Sequence, residues 1–215
     1  MVLQSRLPNK LRRGTWSVAV SRFVAGLVLG AGASRRLGQP KQLLPYRGRP
    51  LLQTAVDNAL AAAFSQVVVA IGGAAPEVKA SIEFGSASVA ENVHYTTGCS
   101  SSIVAALDMV DAETSGVVLL LGDQPGVSIA TIDRVITEAN GPLAVARYAD
   151  GRGHPLWFGR EIFDDLRKLK GDKAVWKLLE SGSYPVQEIV CDGPIPGDVD
   201  TWEDYESLLT SERAS

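Results

Sequence analysis

From Phe23 onward the chain alternates short apolar runs with longer stretches in which apolar residues recur at helical spacing. That alternation predicts βα units wound around a mostly parallel sheet, an α/β class. Three runs, Val24 to Leu29, Gln66 to Ile71 and Val117 to Leu121, are almost continuously apolar. A strand with no polar side has nowhere to meet water, so these three are expected at the centre of the sheet, covered by helices on both faces. Leu51 to Phe64, Pro76 to Phe84, Ser101 to Val110 and Ile129 to Ala139 carry the helical period and begin near Pro or Ser, which suit first turns and caps. Beyond Asn140-Gly141-Pro142 come a strand-like Leu143 to Arg147, a polar loop Tyr148 to Gly153, another short apolar run and two helices split at Gly171. These are expected to complete the same sheet, so residues 23–215 read as one domain. No repeat or low-complexity tract interrupts them.

Composition narrows the function. A chain of 215 residues, 46% hydrophobic, is long enough for a real core. Its formal charge of −3, from 21 basic and 24 acidic residues, provides no global field for nucleic acid or an anionic membrane. Any phosphate binding is therefore local. Two cysteines, Cys99 and Cys191, are too few for a disulfide framework and lack zinc-site spacing, which suits a reducing cytoplasm. Residues 1–22 carry Arg6, Lys10, Arg12, Arg13 and Arg22, no acid and no continuous apolar h-region, and are read as a disordered basic arm. No apolar run approaches a membrane span.

The candidate chemistry starts where the first apolar strand ends. From Leu27 to Leu52 the sequence reads LVLGAGASRRLGQPKQLLPYRGRPLL. Gly30 and Gly32 allow backbone N–H groups to approach an anion closely, and Arg35, Arg36 and Lys41 follow at once. The loop lacks the Gly-Lys-Ser/Thr ending of a P-loop, and its third glycine, Gly38, comes too late for a dinucleotide fingerprint. Glycines and cations at the C-terminal end of a central strand suit a triphosphate whose charge grows on a leaving pyrophosphate. The bland alternative is a strand-to-helix turn with solvated charges.

A second buried strand ends Leu121-Gly122-Asp123-Gln124-Pro125, which places Asp123 at the same edge of the sheet. A hard oxygen ligand there could hold Mg²⁺ against phosphates, although a strand-end Asp is ordinarily a turn residue. Near the C-terminus, Asp198-Val199-Asp200-Thr201 puts two alternate carboxylates before a helix that either Thr201 or Asp200 could cap. Spacing does not choose which of the two carboxylates would reach a metal.

Together these segments resemble the MobA-like NTP transferase family, and within it the MocA-like branch of molybdenum cofactor cytidylyltransferases, over nearly all of Val24 to Leu209. The signature Ala-Gly-x-Ser-x-Arg-Met-Gly followed by lysine is matched by Ala31, Gly32, Ser34, Arg36, Leu37, Gly38 and Lys41. The resemblance implies a GT-A-like, Rossmann-like, three-layer α/β/α domain with a mixed sheet. It implies triphosphate binding by Gly30, Ala31, Gly32, Ala33, Ser34, Arg36 and Lys41, and Mg²⁺ held by Asp123 and Asp200. Gly72, Gly73, Gly98 and Ser102 would lie beside the nucleobase, with N-capping the simpler role for Ser100 to Ser102. Gln124 and His154 would face the acceptor, His154 being as well suited to a backbone-bonded loop histidine. Cys99 is expected to line the site without acting as a nucleophile.

The activity implied is transfer of CMP from CTP to molybdenum-bound molybdopterin, with release of pyrophosphate. Pro40 precedes Lys41 where the guanylyltransferase branch usually has an acid, which favours CTP over GTP. Where the MocA pattern has Gly-Ala-Arg after Gly171-Asp172, this chain has Ala174-Val175-Trp176, which leaves another phosphorylated acceptor open. The alternatives are the same chemistry with GTP and a carrier that delivers finished cofactor to a client molybdoenzyme without turnover. A nicotinamide dehydrogenase is disfavoured, because the second strand ends Ile71-Gly72-Gly73 with no acid for the ribose.

Overall fold

The structure, a computed structural model, describes residues 22–213. In chain order the elements begin with β1 (Val24–Gly30), a small hairpin of β2 (Pro45–Tyr46) and β3 (Arg49–Pro50), α1 (Leu51–Ala61), β4 (Gln66–Ile71), α2 (Ala75–Ser81) and β5 (Ser88–Glu91). They continue with α3 (Cys99–Leu107), β6 (Gly116–Leu121), α4 (Ile129–Glu138), β7 (Leu143–Tyr148) and β8 (Gly151–Gly159). Then come α5 (Phe163–Lys168), α6 (Ala174–Glu180), β9 (Val186–Val190) and α7 (Trp202–Arg213).

One seven-stranded sheet in the order β5-β4-β1-β6-β8-β7-β9 organises the chain as a single α/β domain. Pairings among β5, β4, β1 and β6 are parallel, as is β7 with β9, whereas β8 runs antiparallel to both of its neighbours. The three continuous apolar runs are adjacent strands β4, β1 and β6, and every residue of β1 is buried. Alternation along them feeds two cores. Val24, Val28, Val69 and Leu120 pack with α1, α2 and α4 on one face, and Leu27, Val68 and Leu119 pack with α3, α5 and α6 on the other. This is the three-layer arrangement. Among the described residues no helix is long and apolar enough to cross a membrane.

A third, smaller cluster bears most directly on function. Leu37, Leu44, Tyr46, Leu51 and Val199 are buried together, with Tyr205, Leu208 and Leu209 of α7 packed against them. Each fully buried aliphatic side chain there is worth ~1.5–3 kcal/mol. That contact fastens the C-terminal segment to the loop after β1.

Several boundaries differ from the sequence reading. The polar loop expected over Tyr148 to Gly153 is a tight turn, because Tyr148 pairs directly with Gly151 and β8 starts there. Strand β9 carries no strong apolar signal because it is an edge, with only Ile189 of its five residues buried. The arm assigned to residues 1–22 lies outside the described residues except for Arg22. That residue is part of the domain: its Nη1 donates to the Ala139 carbonyl at 2.6 Å, and its guanidinium lies 4.4 Å from the Trp157 ring centroid.

Candidate active site

The C-terminal ends of β1 and β6 open on a cleft of about 580 Å³, lined by the loop after β1, by Asp123, by the start of α3 and by Asp172, Lys173 and Asp200. The loop turns back at Ser34, whose φ of 51° lies in the left-handed region. The Ser34 hydroxyl accepts the Lys41 N–H at 2.9 Å, so a short 3₁₀ turn at Lys41–Leu43 begins beside the loop. Lys41 is thereby aimed across the sheet edge. Its ammonium donates to Asp123 Oδ2 and, at 2.8 Å, to Asp200 Oδ1. Arg36 donates from Nη2 to Asp200 Oδ2 at 2.6 Å. Two cations from one loop and two carboxylates from distant segments meet at one point.

Asp200 reaches that point through two supports. Val199 is buried in the third cluster and its N–H donates to the Asp123 carbonyl at 3.1 Å, tying the two acidic segments together. Thr201 caps α7: its hydroxyl accepts from Asp204 N–H at 3.2 Å, while the Asp204 carboxylate accepts from the N–H groups of Asp200 and Thr201. This reciprocal cap leaves the Asp200 side chain free for the cleft. Asp198 stays outside the paired cluster, acting on Asp123 only as a nearby charge.

Exposure grades the charges. Side-chain exposure is 14% for Lys41 and 17% for Asp123, against 39% for Asp200 and 64% for Arg36. Loss of water raises the Asp123 carboxyl above its usual range, an effect that Lys41 opposes without cancelling, so Asp123 depends on a neighbouring cation to stay ionised. Desolvation works against the Lys41 ammonium, but Asp123 and Asp200 together hold its pKa above the ordinary lysine value. Asp200 also pays for partial burial, and the bonds from Lys41 and Arg36 still bring it below the usual carboxylate range. Among the described residues no group of three or more His, Cys, Asp or Glu is gathered to hold a metal. The pair Asp123 and Asp200 nevertheless suits a small hard cation, which takes one or two carboxylates and completes its shell with water and phosphate oxygens.

A model of the MobA-like NTP transferase domain matches residues 26–187. The chain belongs to the MobA-like NTP transferase family. Nicotine blue oxidoreductase of Paenarthrobacter nicotinovorans is 32% identical over 197 residues, covering 86% of this chain and 96% of that protein. The purine catabolism protein PucB of Bacillus subtilis is 29% identical, covering 87% of this chain and 97% of its own. The crystal structure of Rv0371c from Mycobacterium tuberculosis is 47% identical, with a TM-score of 0.83 over 88% of this chain and 98% of that one. A second crystal structure of Rv0371c, in complex with manganese, is 45% identical with a TM-score of 0.80, covering 87% and 98%. As a MobA-like nucleotidyltransferase, the chain belongs among enzymes that act on nucleoside triphosphates.

On this MobA-like domain the family-matched residues fall into four groups. Gly30 to Ser34, Arg36, Lys41, Asp123 and Asp200 line the one cleft. Gly73 N–H donates to the Ala31 carbonyl at 3.1 Å, and a Cβ on Gly73 would meet the Gly32 carbonyl at 3.1 Å and the Ala33 Cα at 3.1 Å. Close approach of two loops is therefore what Gly73 permits. Gly72 sits under Tyr95, another cleft residue.

The start of α3 differs from the serine capping expected. Gly98, at φ 113°, is the N-cap residue, and a side chain there would collide with Gly171 backbone at 2.7 Å. The Cys99 N–H is instead capped from across the cleft by Asp172 Oδ1 at 2.9 Å. Ser102 is buried at the cleft wall and its hydroxyl accepts from Asn92 Nδ2 at 3.0 Å. The Cys99 thiol, pushed up to about 11 by burial and by the charges of Asp172 and Asp123, stays protonated and lines the cleft.

Gln124 and His154 do not line this cleft. Gln124 is buried, with Nε2 donating to the Pro196 carbonyl. His154 is buried edge-on to Trp176, with ring centroids 5.7 Å apart, and desolvation lowers its pKa to about 4. A neutral, enclosed imidazole is no cation for an acceptor phosphate. Gln42, Tyr95 and Lys173 are cleft residues that motif spacing did not single out as ligands. Gln42 could be suspected only as a polar residue inside the run Lys41 to Leu44.

Proposed function

We propose that this protein is a Mg²⁺-dependent cytidylyltransferase that joins CTP to the phosphate of molybdenum-bound molybdopterin. The observation that carries the reading is the convergence of Arg36 and Lys41 with Asp123 and Asp200 at the C-terminal edge of the parallel strands. An acceptor phosphate oxygen would attack the α-phosphorus of CTP, the bond from that phosphorus to the bridging oxygen would break, and pyrophosphate would leave. Bound Mg²⁺ would neutralise phosphate charge between Asp123 and Asp200. Lys41, released from the carboxylates, would turn to the triphosphate, and Arg36 would stabilise charge gathering on the leaving pyrophosphate. The backbone of the loop after β1 would cradle the same phosphates, and Gly72, Gly73, Gly98 and Ser102 would bound the base. No side chain needs to become covalently attached.

The acceptor would enter past Asp172 and Lys173, which line the cleft together with Asp123. Gln124 and His154 would shape that side from behind, through Pro196 and Trp176 respectively, rather than touch a charged group. Two free thiols, Cys99 and Cys191, suit the reducing cytoplasm in which such a step would occur, and a client molybdoenzyme would receive the product. A second reading, the same transfer to a different phosphorylated acceptor or from GTP, is favoured by Trp176 standing where the MocA pattern has arginine. A redox role, suggested by the name of one relative, finds less support, since β4 ends at Ile71 and runs into Gly72 with no acid for a dinucleotide ribose.

The test is pyrophosphate release from CTP and from GTP with Mg²⁺ and molybdenum-loaded molybdopterin. CTP turnover is expected, and Asp123→Ala should lower kcat on the order of a thousandfold, several kcal/mol of lost charge stabilisation. Turnover with GTP alone would overturn the base assignment. Binding of both nucleotides without any turnover would leave a different acceptor or a carrier.

A further inference from the structure

Nothing in the motif spacing points to Gln42, yet it holds the glycine loop in shape. Its side chain is only 3% exposed beside a loop in which Gly32 and Ala33 are open to solvent. Nε2 donates to the carbonyl oxygens of Gly30 and Gly32, each at 2.8 Å. Oε1 accepts from the Ser34 hydroxyl at 3.3 Å, and that hydroxyl in turn accepts from the Lys41 N–H. A primary amide is the side chain with two donors and an acceptor on one plane, so all of its hydrogen-bonding groups are engaged here.

The direction of those bonds has a consequence for the other side of the loop. The peptides after Gly30 and Gly32 are trans, since the cis bond among the described residues is His154-Pro155. A trans peptide sends its C=O and its N–H in opposite directions. With the Gly30 and Gly32 oxygens pinned on the buried side by Gln42, the N–H groups of Ala31 and Ala33 point the other way. Without that donor the Gly30 carbonyl would be left buried and unpaired and the Gly32 carbonyl half-buried without its partner, or both would swing towards water. In the latter case they would present negative ends to an incoming phosphate.

We propose that Gln42 is a positioning residue that turns the Ala31 and Ala33 N–H groups towards the phosphates of the nucleoside triphosphate. The inference rests on the nucleotidyl-transfer reading and assigns the donor set of that site. It predicts that Gln42 matters for phosphate groups beyond the α-phosphate and not for the base.

The test uses the full chain, ¹⁵N-labelled, with inorganic pyrophosphate, CTP and CMP as probes. In the wild type, pyrophosphate should move the Ala31 and Ala33 amide resonances downfield. Gln42→Met, which keeps the side-chain length without the donors, should weaken CTP binding by about tenfold while changing CMP binding by less than about twofold. Equal losses for CTP and CMP, or pyrophosphate that binds without moving either amide, overturn the positioning role. Should Gln42→Met not fold, the wild-type titration decides by the same criterion. A wild type that binds pyrophosphate and CTP with unmoved amides removes this inference alone, whereas one that binds no triphosphate removes the nucleotidyl-transfer reading together with it.

Discussion

The ion cluster of Lys41, Asp123, Asp200 and Arg36 and the buried pair of His154 and Trp176 start from similar sequence signals, polar residues set among glycines or prolines. They fold into opposite environments. In the first, each of the four charged side chains has a charged partner and the cleft is open. In the second, the imidazole is enclosed, neutral and edge-on to Trp176, while the Tyr148 hydroxyl donates to the His154 carbonyl at 2.7 Å. Partnering decides the difference. A nearby opposite charge works against the loss of ionisation that burial brings, as Lys41 does for Asp123, whereas nothing opposes desolvation at His154.

The contrast is broken most severely by Lys41→Met. On the proposed reading, in which Lys41 turns from the carboxylates to the triphosphate, losing its ammonium should lower kcat about 10²–10³-fold, ~3–4 kcal/mol. It also leaves Asp123 and Asp200 facing each other without their shared cation. Thermal melting should then show Mn²⁺ stabilising the variant more than the wild type, because the metal replaces the missing charge. Equal Mn²⁺ shifts in the two proteins would show that Lys41 and the ion do not share a position.

The buried pair is tested by acid. His154 has its pKa lowered to about 4 in the fold from 6.5. Between those values the unfolded chain binds a proton that the folded one refuses. Folding stability from this residue is therefore complete above pH ~6.5 and falls as the pH drops towards ~4, by up to ~3 kcal/mol. His154→Phe keeps a ring against Trp176 and cannot take up the proton. Urea midpoints at neutral and acid pH should converge more closely in the variant, and an unchanged acid loss would place the sensitivity elsewhere.

A gentler probe acts on the route by which Asp200 reaches the cluster. Thr201→Ala removes the hydroxyl that caps α7, a loss of ~1 kcal/mol. Loosening the start of α7 should raise the metal concentration needed for half-maximal activity while leaving the cluster's chemistry intact. A fall in kcat at saturating metal, with no change in metal requirement, would contradict that arrangement.

Much of this was legible along the chain. Continuous apolar runs marked β1, β4 and β6 because a strand covered on both faces has no polar side. The glycine loop and Asp123 were readable because both follow directly from those strands. Edge strand β9 was not, since one buried residue leaves no pattern. Gln42 was hidden for a related reason: a glutamine in a short turn resembles any surface residue until its two carbonyl partners are known.

What sequence determined, then, is everything carried by local order: the strand periods, the loop that follows each strand and the residue types at each strand end. Tertiary structure alone decided which distant groups share a position. Asp200 meets Lys41 across 159 residues because Val199 and α7 pack into the small third core. Gln124 and His154 turn inward to the Pro196 carbonyl and the Trp176 ring, partners that spacing does not show.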